Sequence, residues 1–272
     1  MAKLLPPPAA RLAWRIRGPE LPTGAVAASV AIVACDAVAY TTGTSLGQWG
    51  HFTMLPSLVP AVALLVYYRR YLLGTATTGR YAWALFGLPM AAVAVAAGIF
   101  FVVKVPGSSS YDPVSLAAAT TGEEVSFRLA WPLVIGLVLA QRLGRERGLI
   151  AGFIASGAVF CVLPGHLAQY GGPLGPLPFI AFAAISGWVV LRTGALAATA
   201  TAHVAVDLLG FDKALGGLPE PLYVAGTSLA LVLLVLGSLS YGWLSGLLAQ
   251  KASHQVECAQ AVRASSTLAG QP

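Results

Sequence analysis

Three short groups of residues in this sequence could do chemistry. They are Gly122-Glu123-Glu124-Val125-Ser126-Phe127-Arg128, Cys161-Val162-Leu163-Pro164-Gly165-His166 and His203-Val204-Ala205-Val206-Asp207. On a helix, Glu124 and Arg128 stand at i and i+4, so they share a face and can pair. The guanidinium is always charged and its fork suits a carboxylate. Glu123 projects about 100° away from Glu124. One carboxylate can therefore be locked in a pair while its neighbour stays free. A free carboxylate in an apolar site suits a general base or acid. The alternative is that all three form a structural ion network. His203 and Asp207 also share a helix face. That geometry can orient an imidazole, build a hydrogen-bond donor site or supply two metal ligands. His166 closes an apolar run, and taken alone it reads as structural.

The elements that carry these groups are apolar. Hydrophobic residues make up 57% of the 272 residues and charged ones only 10%. Mean hydropathy is +0.77. An ordinary soluble domain is about 25% charged. This chain has too little polar surface to cover a water-exposed globule. A helical span needs roughly 20 mainly apolar residues, and the sequence offers about eight such stretches. They run near Ala25–Tyr40, Met54–Tyr68, Ala82–Val103, Leu116–Ala140, Leu149–Leu163, Leu177–Leu191, Ala195–Leu209 and Leu222–Ala249. The predicted fold is all-α, a polytopic transmembrane helix bundle with a buried polar site. A charge at the centre of a lipid-facing helix costs roughly 2.5–3.5 kcal/mol. Asp36, Glu123, Glu124, Arg128, His166, His203 and Asp207 should therefore face the bundle interior and satisfy one another.

The loops alternate in charge. Arg69, Arg70 and Arg80 fall between the second and third spans, and Arg142, Arg145 and Arg147 between the fourth and fifth. Arg192 falls between the sixth and seventh, and Lys251 and Arg263 follow the eighth. The other gaps hold only Lys104 and Lys213. Cytoplasmic loops carry the excess of Lys and Arg. Both termini are thus expected in the cytoplasm, in what we expect to be a bacterial plasma membrane. All three chemical groups then fall at a similar depth, toward the extracytoplasmic side. The net charge of +6 is spread over these gaps rather than gathered in a stripe with aromatics, so no nucleic-acid partner is expected. Residues 1–22 read as a cytosolic arm, surface-lying or disordered, residues 23–250 as one membrane domain, and residues 251–272 as a disordered cytosolic tail. The segments Pro106–Pro113 and Gly171–Pro178 read as turn-rich loops. Cys35, Cys161 and Cys258 are too widely spaced for a C-x-x-C metal or redox motif.

The order E-E-x-x-x-R, then a His closing an apolar helix, then H-x-x-x-[N/D], resembles the CPBP family of intramembrane proteases. That family includes the CaaX prenyl proteases and the Abi-type bacteriocin-processing or self-immunity proteins. The match is Glu123, Glu124 and Arg128, then His166, then His203 with Asp207, spanning about Gly122 to Asp207. The resemblance implies hydrolysis of a peptide bond in a protein or peptide held in or at the membrane. It implies that Glu123 activates a water with help from His166. It also implies that His203 and Asp207 stabilise the oxyanion, while Glu124 and Arg128 support. No cofactor is required. The residues permit zinc on Glu123, His166 and His203 without demanding it. Neither H-E-x-x-H nor G-x-S-x-G is present.

Two departures from the family pattern stand out. The family's second motif is usually Phe-x-x-x-His, whereas Val162 stands four before His166 and the nearest Phe is Phe160. Asp207 stands where the prenyl proteases have Asn, and an aspartate donates a hydrogen bond only when protonated. CaaX-type members open their cavity to the cytosol, while the charge alternation puts the motifs near the other face. Asp36 lies outside the motifs and reads as structural. Other classes consistent with the residues are a non-catalytic scaffold or immunity protein that binds partner membrane proteins, and a proton-coupled transporter.

Overall fold

A computed structural model describes residues 23–42, 62, 66, 86–104, 113–167, 175–241 and 243. The arm, the tail, most of the second expected span and the arginines Arg69, Arg70 and Arg80 lie outside the described residues, as does Cys258. So do residues 106–112 and 171–174 of the two expected loops. Among the described residues the fold is all-α. The helices are α1 (Thr23–Thr42), α2 (Leu88–Lys104), α3 (Pro113–Val125), α4 (Trp131–Leu143) and α5 (Arg145–Cys161). After a short turn, Pro164–Leu167, come α6 (Leu177–Thr193), α7 (Leu196–Ala214) and α8 (Glu220–Tyr241). The helices fall on seven of the expected spans, α3 and α4 together filling the fourth, Leu116–Ala140, with ends that differ by up to eight residues. The helix α8 is long and apolar enough to cross a membrane. Shorter apolar helices cover Thr23–Val38, Leu88–Phe100 and Leu177–Leu191. Large apolar side chains point outward, among them Val95, Ile99 and Val102 on α2 and Leu229, Val232 and Leu236 on α8. Lipid tolerates that pattern, whereas water penalises it.

Between α3 and α4 the chain does not break. A π-helical segment, Ser126–Ala130, joins them into one rod. Pro132 gives the reason. It has no N–H to offer the carbonyl four residues back, and its ring crowds that carbonyl. The wider turn removes the crowding, and Trp131 N–H bonds to Ser126 O, five residues back. A neighbour takes up another loosened carbonyl, because Ser156 Oγ on α5 donates to Phe127 O at 2.8 Å. The helix α1 packs against this segment through Ile32, Val125, Leu129 and Ala130. Trp131 Nε1 donates to the buried carboxylate of Asp36 at 3.0 Å. That bond bears out the structural reading of Asp36.

The helices α4 and α5 form a tight hairpin around Gly144, whose φ of 75° suits glycine. Their backbones approach so closely that a Cβ at Gly152 would sit 2.5 Å from Pro132 O. A Cβ at Gly148 would sit 2.6 Å from Ala140 N. Neither obstacle is a flexible side chain. Gly152→Ala is therefore expected to destabilise the protein by roughly 1–3 kcal/mol through overpacking. The control is Gly157→Ala, whose new Cβ would meet Ala183 Cβ at an ordinary 3.7 Å. Thermal unfolding in detergent should separate the two. Equal melting temperatures would contradict the close approach.

Candidate active site

The rod α3–α4 presents Glu123 and Glu124 in the last turn of α3, directly before the π-helical segment, and Arg128 within that segment. The helix α7 crosses α3 and brings His203 and Asp207 alongside. His203 Nδ1 lies 3.0 Å from Glu124 Oε1. Its other nitrogen, Nε2, lies 3.6 Å from Asp207 Oδ1 and 4.0 Å from Glu123 Oε2. The imidazole thus stands between carboxylates on both edges. Both edges can donate only when the ring carries both protons. The shared face expected of His203 and Asp207 is present.

The pairing expected between Glu124 and Arg128 is present in altered form. Arg128 Nη2 lies 3.7 Å from Glu124 Oε1, a contact longer than a hydrogen bond. Glu124 spends its short contact on His203 instead. Arg128 Nε donates to Ser186 Oγ of α6 at 2.7 Å. The guanidinium also lies 4.8 Å from the centre of the Phe160 ring, within range of a cation–π contact. Both Glu124 and Arg128 are fully buried, and so is Phe127. Glu123 and Asp207 are not, at 24% and 28% exposed. The cluster therefore has a sealed end, Glu124 with Arg128, and an open end, Glu123 with Asp207.

The structure places His166 against the same Phe160 ring as His203. It does not close α5, which ends at Cys161; it sits on the separate turn Pro164–Leu167. Its Nδ1 lies 2.6 Å from Phe160 O. A carbonyl only accepts, so Nδ1 carries the proton and Nε2 of the neutral ring is an acceptor. The Phe160 ring packs edge-on against His166, with centroids 4.4 Å apart, and against His203 at 5.7 Å. Phe179 and Phe182 complete the aromatic wall at 4.8 Å from His166 and 4.4 Å from His203. The departure from Phe-x-x-x-His now has a physical reading. The chain leaves the helix at Val162 and re-enters a turn at Pro164, so a phenylalanine six residues back reaches the His. Sequence spacing on one continuous helix could not show that contact.

Polar partners from outside the three motifs join the site. Thr120 donates to Asp207 Oδ2 at 2.6 Å, and Ser186 receives Arg128. The position of Thr120, one turn before Glu124, was the signal available for it. Ser186 carried none. Among the described residues, no three His, Cys, Asp or Glu side chains are grouped to hold a metal ion. His203 Nδ1 is turned onto Glu124 and His166 Nδ1 onto Phe160 O, so each ring keeps Nε2 as its remaining nitrogen.

The comparison with known families falls on this region. Residues 111–209 match the model of the family described as type II CAAX prenyl endopeptidase Rce1-like. These residues form an Rce1-like, CPBP-family domain. No curated protein and no solved structure matches the chain. The Rce1-like domain contains every motif residue, and also Thr120, Ser186 and the aromatic wall. Its family consists of integral membrane proteins and typically of prenyl endopeptidases. The helices α1, α2 and α8 lie outside the matched stretch.

Proposed function

We propose that the Rce1-like domain is an intramembrane endopeptidase that cleaves a membrane-associated protein or peptide, with Glu123 as the base. One observation carries this reading. Glu124 and Asp207 are each held by a short hydrogen bond, whereas the nearest ion-pair contact of Glu123 is 4.0 Å, at the open end of the cluster. A carboxylate that is neither sealed nor spent can take a proton from water. Glu123 accepts that proton as the hydroxide adds to the peptide carbonyl. The carbonyl oxygen becomes an oxyanion, and His203 Nε2–H stands ready to donate to it. The tetrahedral adduct collapses as the carbon–nitrogen bond breaks, and Glu123 returns the proton to the leaving amine. His166 Nε2, left as an acceptor, helps to hold the water. Glu124 and Arg128 fix His203 from the sealed side.

Asp207 takes a different part from the one its family counterpart implied. Its Oδ2 accepts from Thr120 and its Oδ1 faces His203. It acts as an acceptor that aims the imidazole, and the oxyanion donor is His203. The bilayer supplies the substrate and the low-dielectric surroundings that strengthen these contacts.

The test compares new peptide N-termini in membranes containing the wild type or His203→Gln. Wild-type membranes should contain termini that fall by at least about a hundredfold in the variant, the size expected for losing an oxyanion donor. Identical sets of termini would sink the hydrolytic reading and favour the non-catalytic scaffold.

A further inference from the structure

Serine and threonine in an apolar helix usually return their hydroxyl to a carbonyl of the same helix. This protein follows that habit repeatedly. Ser29 bonds Ala25 O, Thr121 bonds Ala117 O, Thr193 bonds Val189 O and Thr201 bonds Ala197 O, all at 2.7–2.8 Å. Thr120 departs from it. Its side chain is buried, and its hydroxyl leaves α3 to donate across to Asp207 Oδ2 on α7 at 2.6 Å. A carboxylate is planar, so fixing one oxygen fixes the direction of the other. The other is Oδ1, the atom that faces His203 Nε2 at 3.6 Å.

We infer that Thr120 is a positioning residue that holds Asp207 in the orientation that aims His203. Asp207 is 28% exposed at the open end, so without this anchor its carboxylate is free to swing toward the opening. The pairing also makes sense of aspartate at this position. With asparagine, the Thr120 hydroxyl could donate only to the amide oxygen, which would turn the amide NH2 group toward His203 Nε2. With both ring nitrogens of His203 protonated, two donors would then face each other. Aspartate presents an acceptor instead. Thr120 and Asp207 therefore act as one unit across two helices, with Thr120 touching no reacting atom. Its effect on turnover rests on the hydrolytic reading above, while its effect on the resting site does not.

The experiment uses full-length protein in detergent, labelled with 15N in the histidine side chains. The His203 resonances are assigned by their loss in His203→Gln. Thr120→Val, close in shape but without the hydroxyl, should shift the His203 Nε2 resonance, and Thr120→Ser should restore it. On a peptide found in the comparison of N-termini, Thr120→Val should lower kcat about tenfold with KM unchanged within about twofold. In an Asp207→Asn background the same change should cost less than about twofold, because the two residues act as a unit. Should the valine variant fail to insert, Thr120→Ala is measured in the same way. An unmoved His203 resonance, or independent effects of the two substitutions, would overturn the inference. A shifted resonance in a protein that cleaves nothing would leave the positioning role standing and remove the hydrolytic reading.

Discussion

Glu123→Gln should lower peptide-bond cleavage by about 10²–10⁴-fold, the contribution typical of a positioned general base. Glutamine keeps the shape and one acceptor oxygen but cannot take a proton at neutral pH. The fold should hardly register the change. Glu123 is partly exposed, and its approach to His203 is 4.0 Å, too long for a hydrogen bond. Stability should therefore stay within about 0.5 kcal/mol of wild type. Glu124→Gln makes the instructive contrast. Glu124 is fully buried between His203 and Arg128, so its replacement should lower activity and stability together. The measurement pairs initial cleavage rates with thermal unfolding of both variants. A Glu123→Gln protein that cleaves at the wild-type rate would remove Glu123 as the base.

The largest effect on stability should come from Arg128→Met. The substitution keeps an unbranched apolar stem and deletes the charge. It leaves Glu124 with His203 as its remaining ion-pair partner in a sealed site, frees Ser186 Oγ from its donor and removes the cation from the Phe160 ring. Removing one partner of a buried ion pair costs about 3–5 kcal/mol, because the other charge stays buried without compensation. The double change Arg128→Met with Glu124→Gln should recover part of that loss. Recovery would show that the cost lies in the uncompensated carboxylate rather than in lost packing. Thermal unfolding of the two variants reads this directly. An Arg128→Met protein that melts at the wild-type temperature would refute a structural role for the sealed end.

Both effects trace to the same asymmetry, and it was only half legible in the chain. That one glutamate would be locked and its neighbour free follows from two adjacent residues pointing about 100° apart on a helix. Which partner does the locking does not. Spacing put Arg128 on Glu124, yet the 3.0 Å contact goes to His203, seventy-nine residues away, and Arg128 turns to Ser186. The π-helical segment that carries Arg128 is explicable from Pro132 once seen. A proline in an apolar run can also kink or end a helix, and packing decides among those outcomes.

What the sequence determined by itself is local and periodic. It marked the apolar helices, and it placed His203 and Asp207 on one face. It also collected the costly ionisable residues into three groups that had to meet. Each of these follows from residues within a few turns of one another, where helix geometry is fixed at 3.6 residues per turn. The tertiary structure decided the rest. It set Thr120 against Asp207, and it slipped Phe160 under His166 by breaking the helix at Val162. It left Glu123 at the open end of the cluster. Those contacts join residues from 6 to 87 positions apart through helix crossings and a chain reversal. No local period encodes such a distance, so only the packed bundle could assign them.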